Sequence, residues 1–105
     1  MAILLTDSQV AIADDAQTAS ADTLYETMYF LLDVTDATAG TLDIEVEWSM
    51  DGSTWVSFTT PDAFAQVSAT GQEWLAAVPG RAAFFRLNYT VATGPFDFTI
   101  SAIGF

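Results

Sequence analysis

A chain of 105 residues, 51% of them hydrophobic, is enough for one domain with a single core that needs neither metals nor disulfides. Fourteen acidic residues face only Arg81 and Arg86, for a net charge of −12, and cysteine, histidine and lysine are all absent. Those absences remove disulfides, thiolate sites, the commonest metal ligand and the usual general base, while the acid excess disfavours nucleic acid and anionic membranes and favours a basic protein surface.

The opening MAILLTDSQV has no positive leader and too short an apolar run for a signal peptide or a membrane span, so synthesis in the cytosol is expected. Ala2–Leu5 and Ser8–Ala13 are expected to form two short strands separated by turn chemistry at Thr6-Asp7. From Asp14 to Asp22 the composition shifts to Ala, Asp, Thr, Ser and Gln without apolar periodicity, which predicts a loop or an arm, with a helical turn as an option. Thr23–Thr35 is rich in aromatic and aliphatic residues. A helix competes there, but the composition and the following Asp36–Gly40 turn favour a central strand.

The chain is organised around Leu42–Trp55. Side chains alternate along a strand, so Leu42, Ile44, Val46 and Trp48 share one face and Asp43, Glu45, Glu47 and Ser49 the other. Burying the four apolar members is worth about 6–10 kcal/mol, against repulsion between neighbouring exposed carboxylates of order 1 kcal/mol. The acid ladder is therefore tolerated. Asp51-Gly52 turns the chain into a return strand through Trp55, Val56 and Phe58.

Pro61-Asp62 punctuates, Phe64–Ser68 is another short strand, and Thr70-Gly71 precedes a strand over Glu73–Val78 that carries Trp74. After Pro79-Gly80, Ala82–Val91 alternates, with Phe85, Leu87, Tyr89 and Val91 on one face and Phe84, Arg86, Asn88 and Thr90 on the other. Gly94-Pro95 introduces a last strand with Phe96, Phe98, Ile100 and Ala102 inward. About eight or nine short strands with turn signals every eight to twelve residues predict a single all-β domain over 1–105, an antiparallel β-sandwich of jelly-roll type. Without lysine, its sheet edges must be guarded by carboxylates, prolines or a partner subunit.

The constellations of residue types that chemistry uses have plainer readings. Asp43, Glu45 and Glu47 face one way, but a hydrolase needs two carboxylates opposed across a substrate with one pKa raised by burial, so a solvated or partner-facing stripe is expected. Asp51-Gly52-Ser53-Thr54 lacks the alternating ligands and terminal glutamate of a calcium loop and reads as a hairpin. Asp33 and Asp36 supply too few ligands for an ion. No metal or cofactor is expected. Trp48 shares a face with core residues, whereas Trp55 and Trp74 are less constrained and are candidate anchors for a sugar or a protein neighbour. Arg86 can pair with the acid ladder if their strands are neighbours, and either arginine can instead bridge to another subunit. Serine and threonine hydroxyls have no histidine or lysine to activate them, so an enzyme is not expected. The Asn88-Tyr89-Thr90 sequon lies inside a predicted strand and reads as coincidence.

Two runs, FLLDVTDATAGTLDIEVEWSMDGSTWVSF and PGRAAFFRLNYTVATGPFDFTISAIGF, resemble the small all-β structural proteins of tailed-bacteriophage virions. The features are Asp33-Val34-Thr35 at a strand end, the EWSMDGSTW hairpin, and an arginine-bearing strand turned by Ala92-Thr93-Gly94 into a phenylalanine-rich terminal strand. The resemblance implies a virion location and a role in head decoration or cementing, with the major capsid protein or other virion proteins as partners and a homo-oligomer, often a trimer. Residues 1–23 would then be an arm that orders on the shell. The candidate contact residues are Trp55, Trp74, Arg81, Arg86, Asp43, Glu45 and Glu47. The alternative is a carbohydrate-binding sandwich on a tail or fibre, resting on the tryptophans.

Overall fold

The computed structural model describes residues 1–58 and 62–105. The Pro61 punctuation lies outside them. The chain forms β1 (Ala2–Ile12), β2 (Ala16–Gln17), β3 (Ala21–Asp22), β4 (Thr27–Ala37), β5 (Gly40–Ser49), β6 (Val56–Ser57), β7 (Gly71–Pro79), β8 (Phe84–Thr93) and β9 (Phe96–Gly104). Two antiparallel sheets pack face to face. Sheet A has the order β1-β9-β4-β7; sheet B has β2-β8-β5-β6, with β3 also paired to β8.

With β2 and β3 taken as one interrupted strand, the first strand pairs with the last, the second with the seventh, the third with the sixth and the fourth with the fifth. That nested pairing is a jelly roll. It follows that β4 and β5, though joined only by Thr38-Ala39, lie in different sheets. Gly40 at this corner has φ 78°, and a Cβ on it would lie 1.8 Å from the Ala92 carbonyl oxygen. Only glycine fits there.

The inward faces follow the alternation. Leu42, Ile44, Val46 and Trp48 of β5 meet Met28, Phe30, Leu32 and Val34 of β4, Phe85, Leu87 and Tyr89 of β8, and Phe96, Phe98, Ile100 and Ala102 of β9 in one buried cluster. Edge-on ring contacts join Phe30 to Phe85 and Tyr89 to Phe98, with centroids 6.0 and 4.9 Å apart. Tyr89 also ties the sheets together by a hydrogen bond, its hydroxyl donating to Asp7 Oδ2 at 2.6 Å. Burial, and then the carboxylate of Asp7, hold this phenol protonated far above its ordinary range.

Two N-terminal expectations are corrected. β1 is one strand rather than two, because Thr6 and Asp7 keep their pairing with Ser101 and Ile100 of β9 and Asp7 finds polar partners in Tyr89 and Gln9. The Asp14–Asp22 stretch, expected as a loop or arm, supplies both short strands on the β8 edge of sheet B in this protomer. Backbone and small polar groups hold it: the Thr18 and Thr23 amides donate to the Leu87 and Ala83 carbonyls, and Asp15 Oδ1 accepts from the Val91 amide at 2.8 Å. The Phe64–Ser68 strand is reduced to isolated bridges, Ala63 to Glu45 and Val67 to Leu42, and the return strand of the hairpin is only Val56–Ser57, with Trp55 outside it.

Edge protection takes a form not anticipated. The edge strands of sheet A are both bulged: β1 at Ile3–Leu5 and at Gln9–Ile12, where Ala11 has φ 53°, and β7 beside Met28–Phe30, where Ala77 has φ 54°. Left-handed alanines are uncommon, and bulges of this kind twist an edge away from further pairing. Sheet B ends instead in strands of two residues, too short to template another chain.

Candidate functional site

The seven candidate contact residues do not form one site. Trp55, Arg86 and Glu47 come together on the outer face of sheet B. β5 and β8 are neighbours, with Glu47 opposite Arg86, Glu45 opposite Asn88 and Asp43 opposite Thr90. Arg86 Nε donates to Glu47 Oε1 at 2.7 Å, and its guanidinium lies 4.4 Å from the Trp55 ring centroid. The cation thus covers one face of the indole. Asp43 accepts from Gln66 Nε2 at 3.1 Å, and Asn88, across from Glu45, accepts from Gln17. Two of the three acids of the ladder, Asp43 and Glu47, are hydrogen-bonded to neighbouring side chains, and the three line one surface rather than oppose one another as a pair of carboxylates.

Arg81 stands apart from the ladder, in the β7–β8 connection. Its Nε and Nη2 reach Asp62 Oδ2 and Oδ1 at 2.5 and 2.9 Å, and Asp62 Oδ2 also accepts from Trp48 Nε1 at 2.7 Å. Asp62 is fully buried. The hydrogen bonds to Asp62 raise the arginine's pKa further still, and Phe58 lies under the guanidinium at 5.0 Å. A carboxylate this deep in the fold requires such a set of donors. Sequence reasoning placed Trp48 in the core but did not find its partner Asp62, which sits in a short polar stretch with no periodicity to mark it. Both arginines are bonded to carboxylates of their own chain, and for Arg86 the partner is the acid ladder on the neighbouring strand, as the sequence allows.

Asp51 closes its own turn. Its Oδ1 accepts from the amides of Thr54 and Ser53 and from the Ser49 hydroxyl, each at 2.9 Å. Those hydrogen bonds, the Thr54 amide foremost, hold its carboxyl well below the usual carboxylate range. Gly52 follows at φ 81°, as the hairpin requires. Among the described residues no three acidic side chains converge as a set of metal ligands.

Trp74 is the last candidate, and it keeps different company. It projects from the outer face of sheet A, 59% exposed. Register places Trp74 beside Leu31 of β4, and the adjacent row across the sheet is Ile3, Ile103 and Tyr29 on β1, β9 and β4. Met1, Ala76 and Phe105 complete a shallow depression with Trp74, Tyr29 and Ile103, and Phe105 packs edge-on against Tyr29 at 5.1 Å. Ile3, Met1 and Phe105 are more than half exposed. Further along, the same face turns polar through Ser8, Thr99, Asp33 and Gln72. An antiparallel sheet that packs a core on one side normally shows a polar face on the other. This face departs from that rule over one end of the sheet, where exposed apolar side chains from four strands lie side by side.

Sequence reasoning named Trp74 but did not place Leu31, Ile103 and Ile3 beside it. A signal was present in Thr27–Ala37, where Tyr29 and Leu31 alternate with Met28, Phe30 and Leu32, so that both faces of the strand are apolar. The strand reads as central, and it is central within its sheet, flanked by β9 and β7, but among the described residues no layer covers its second face. Compared with known proteins, the chain matches no family model, no curated protein and no solved structure.

Proposed function

We propose that this chain is a non-enzymatic structural protein of a virion, a head decoration or cement protein that binds the shell through subunit contacts. The observation that supports the reading is the exposed apolar end of sheet A, where Trp74, Ile3, Met1 and Phe105 are each more than half exposed on a jelly-roll protomer. The resemblance of the hairpin and terminal strands to phage virion proteins supplies the context, and the jelly roll is an architecture used by viral capsid proteins and lectins alike. The chain's lack of histidine, cysteine and lysine accords with a role without catalysis. The major capsid protein is the proposed partner, and self-association into a trimer belongs to the same reading.

The test is sedimentation of the purified protein alone and mixed with undecorated phage heads. Saturable cosedimentation at a fixed ratio per capsomer is the expected result. Failure to bind heads at any salt concentration overturns it.

The second reading, a carbohydrate-binding module of a tail or fibre, draws on the exposure of Trp74. Trp55 gives it less support, because Arg86 occupies one face of its ring. The neighbours of Trp74 also favour protein over sugar, since Met1, Ala76, Ile103 and Phe105 offer a glycan no side-chain hydrogen bonds. Glycan-array binding that vanishes on Trp74→Ala would reverse this preference.

A further inference from the structure

We infer that the apolar end of the sheet A outer face is where the partner docks, and that this partner is a protein surface with an apolar centre and a rim of lysine or arginine, not a second copy of this chain. The inference rests on the proposed shell-binding role and assigns it a surface. Three observations lead to it.

Contact by a face is favoured over strand addition. Both edges of sheet A are bulged, at Ile3–Leu5 and Gln9–Ile12 of β1 and beside Met28–Phe30 on β7, and sheet B ends in two-residue strands. A partner strand would find its ladder interrupted by a bulge at the end of each regular stretch, Leu5–Gln9 on β1 and Gly71–Leu75 on β7. The flat outer face has no such obstacle.

The face has the make-up of an interface centre. Trp74 and Tyr29 stand among aliphatic side chains, no charged side chain lines their depression, and the polar row of Ser8, Thr99, Asp33 and Gln72 borders it. Interface cores are depleted in charge and enriched in aromatic residues, with polar residues at the rim.

Charge selects the occupant. On the outer face the acid nearest the depression is Asp33, two residues from Leu31; Glu73, though adjacent to Trp74, pairs with inward Leu32 and points to the other side of the sheet. The chain contains no lysine, and both arginines are bonded to their own carboxylates, Arg81 to Asp62 and Arg86 to Glu47. A second copy could offer Asp33 no cationic side chain not already paired, and would bring another charge of −12 against a chain already carrying the same charge. A basic-rimmed partner would gain where a copy would lose.

The test measures binding to undecorated heads for the wild type, for Trp74→Ser combined with Ile3→Ser, and for a control on the opposite face, Asp43→Asn combined with Glu45→Gln. Trp74 and Ile3 are exposed, so the double variant is expected to keep the wild-type circular dichroism and melting temperature; Trp74→Ser alone replaces it if it does not. The expected result is a loss of affinity of about 30-fold or more for the sheet A variant, the scale of an aromatic hot spot. The control should bind nearly as the wild type does, and wild-type binding should weaken as salt rises. If the wild type saturates the heads and the sheet A variant binds equally well, the docking face is wrong and the shell-binding role stands. If the wild type does not bind heads, the role falls and the inference falls with it. If the wild type dimerises in sedimentation equilibrium and the sheet A variant is monomeric, a second copy covers the face and the inference is overturned.

Discussion

The outer faces of the two sheets obey different rules. On sheet B the alternation of β5 puts Asp43, Glu45 and Glu47 outward, and neighbouring strands and loops answer them with Gln66, Asn88 and Arg86. On sheet A the outward positions at one end include Ile3, Ile103, Tyr29, Leu31 and Trp74, with Thr6 and Ser101 in the row of Leu31, and no second layer among the described residues covers them. Sheet B's outer face pairs most of its charges within the chain, with its exposed apolar residues Met50 and Val56 confined to the hairpin, whereas sheet A exposes apolar side chains across one end of the sheet itself. The difference matters because charge alone draws attention to the acid ladder. Once each outer acid is seen beside a partner of its own chain, the uncharged face becomes the better candidate for binding.

The half of the molecule around sheet B should therefore answer mutation with lost stability. The largest effect is expected at Asp62, whose removal leaves the Trp48 indole N–H buried without an acceptor and Arg81 without its bidentate partner. Asp62→Ala is expected to cost about 3 kcal/mol, the low end for a broken buried pair, since the Arg81 side chain is 25% exposed and can rehydrate. Urea denaturation measures it, and a loss below about 1 kcal/mol would mean that the network is a surface ornament.

Next comes Arg86→Ala, which removes both the Glu47 contact and the cover over Trp55. The expected cost is about 1 kcal/mol, combining a partly exposed ion pair with a cation–π contact. Tryptophan fluorescence should shift to longer wavelength as the Trp55 ring becomes hydrated. A stability loss with no spectral change would place the contribution in the ion pair alone.

The smallest effect is at Asp51. Its folded pKa is depressed by the amides of its own turn, so its contribution is fully present above the unfolded value of about 4 and is lost as pH falls toward the folded value. Asp51→Asn should lower the melting temperature slightly at neutral pH and make the acid limb of the stability curve shallower. Thermal melts between about pH 2 and pH 7 test this, and an unchanged acid limb would remove the turn carboxylate from the list of acid-sensitive groups.

Much of this architecture is legible in the residues, and the exceptions have a common cause. β5, β8 and β9 announce themselves because strict alternation makes one face apolar, and Asp51-Gly52 because a turn with a left-handed residue demands that chemistry. β2 and β3 do not, since they are held by backbone amides, Asp15 and Thr18 rather than by apolar side chains. Thr6 and Asp7 mislead for a related reason: residues that favour turns in isolation are kept extended by β9 and by the Tyr89 hydroxyl.

By itself the amino-acid sequence determined the all-β class, the inward faces of the main strands, the burial of Trp48, the hairpin at Asp51-Gly52 and the excess of negative charge. Each of these depends on neighbours along the chain or on totals, so local patterning suffices. The tertiary structure decided the jelly-roll order, the burial of Asp62 between Trp48 and Arg81, the choice of Glu47 for Arg86, and the gathering of Ile3, Tyr29, Trp74 and Ile103 from four strands into one apolar face. Those are contacts between residues far apart in the chain, set by which strands become neighbours and in what register, and alternation is satisfied equally by many such arrangements.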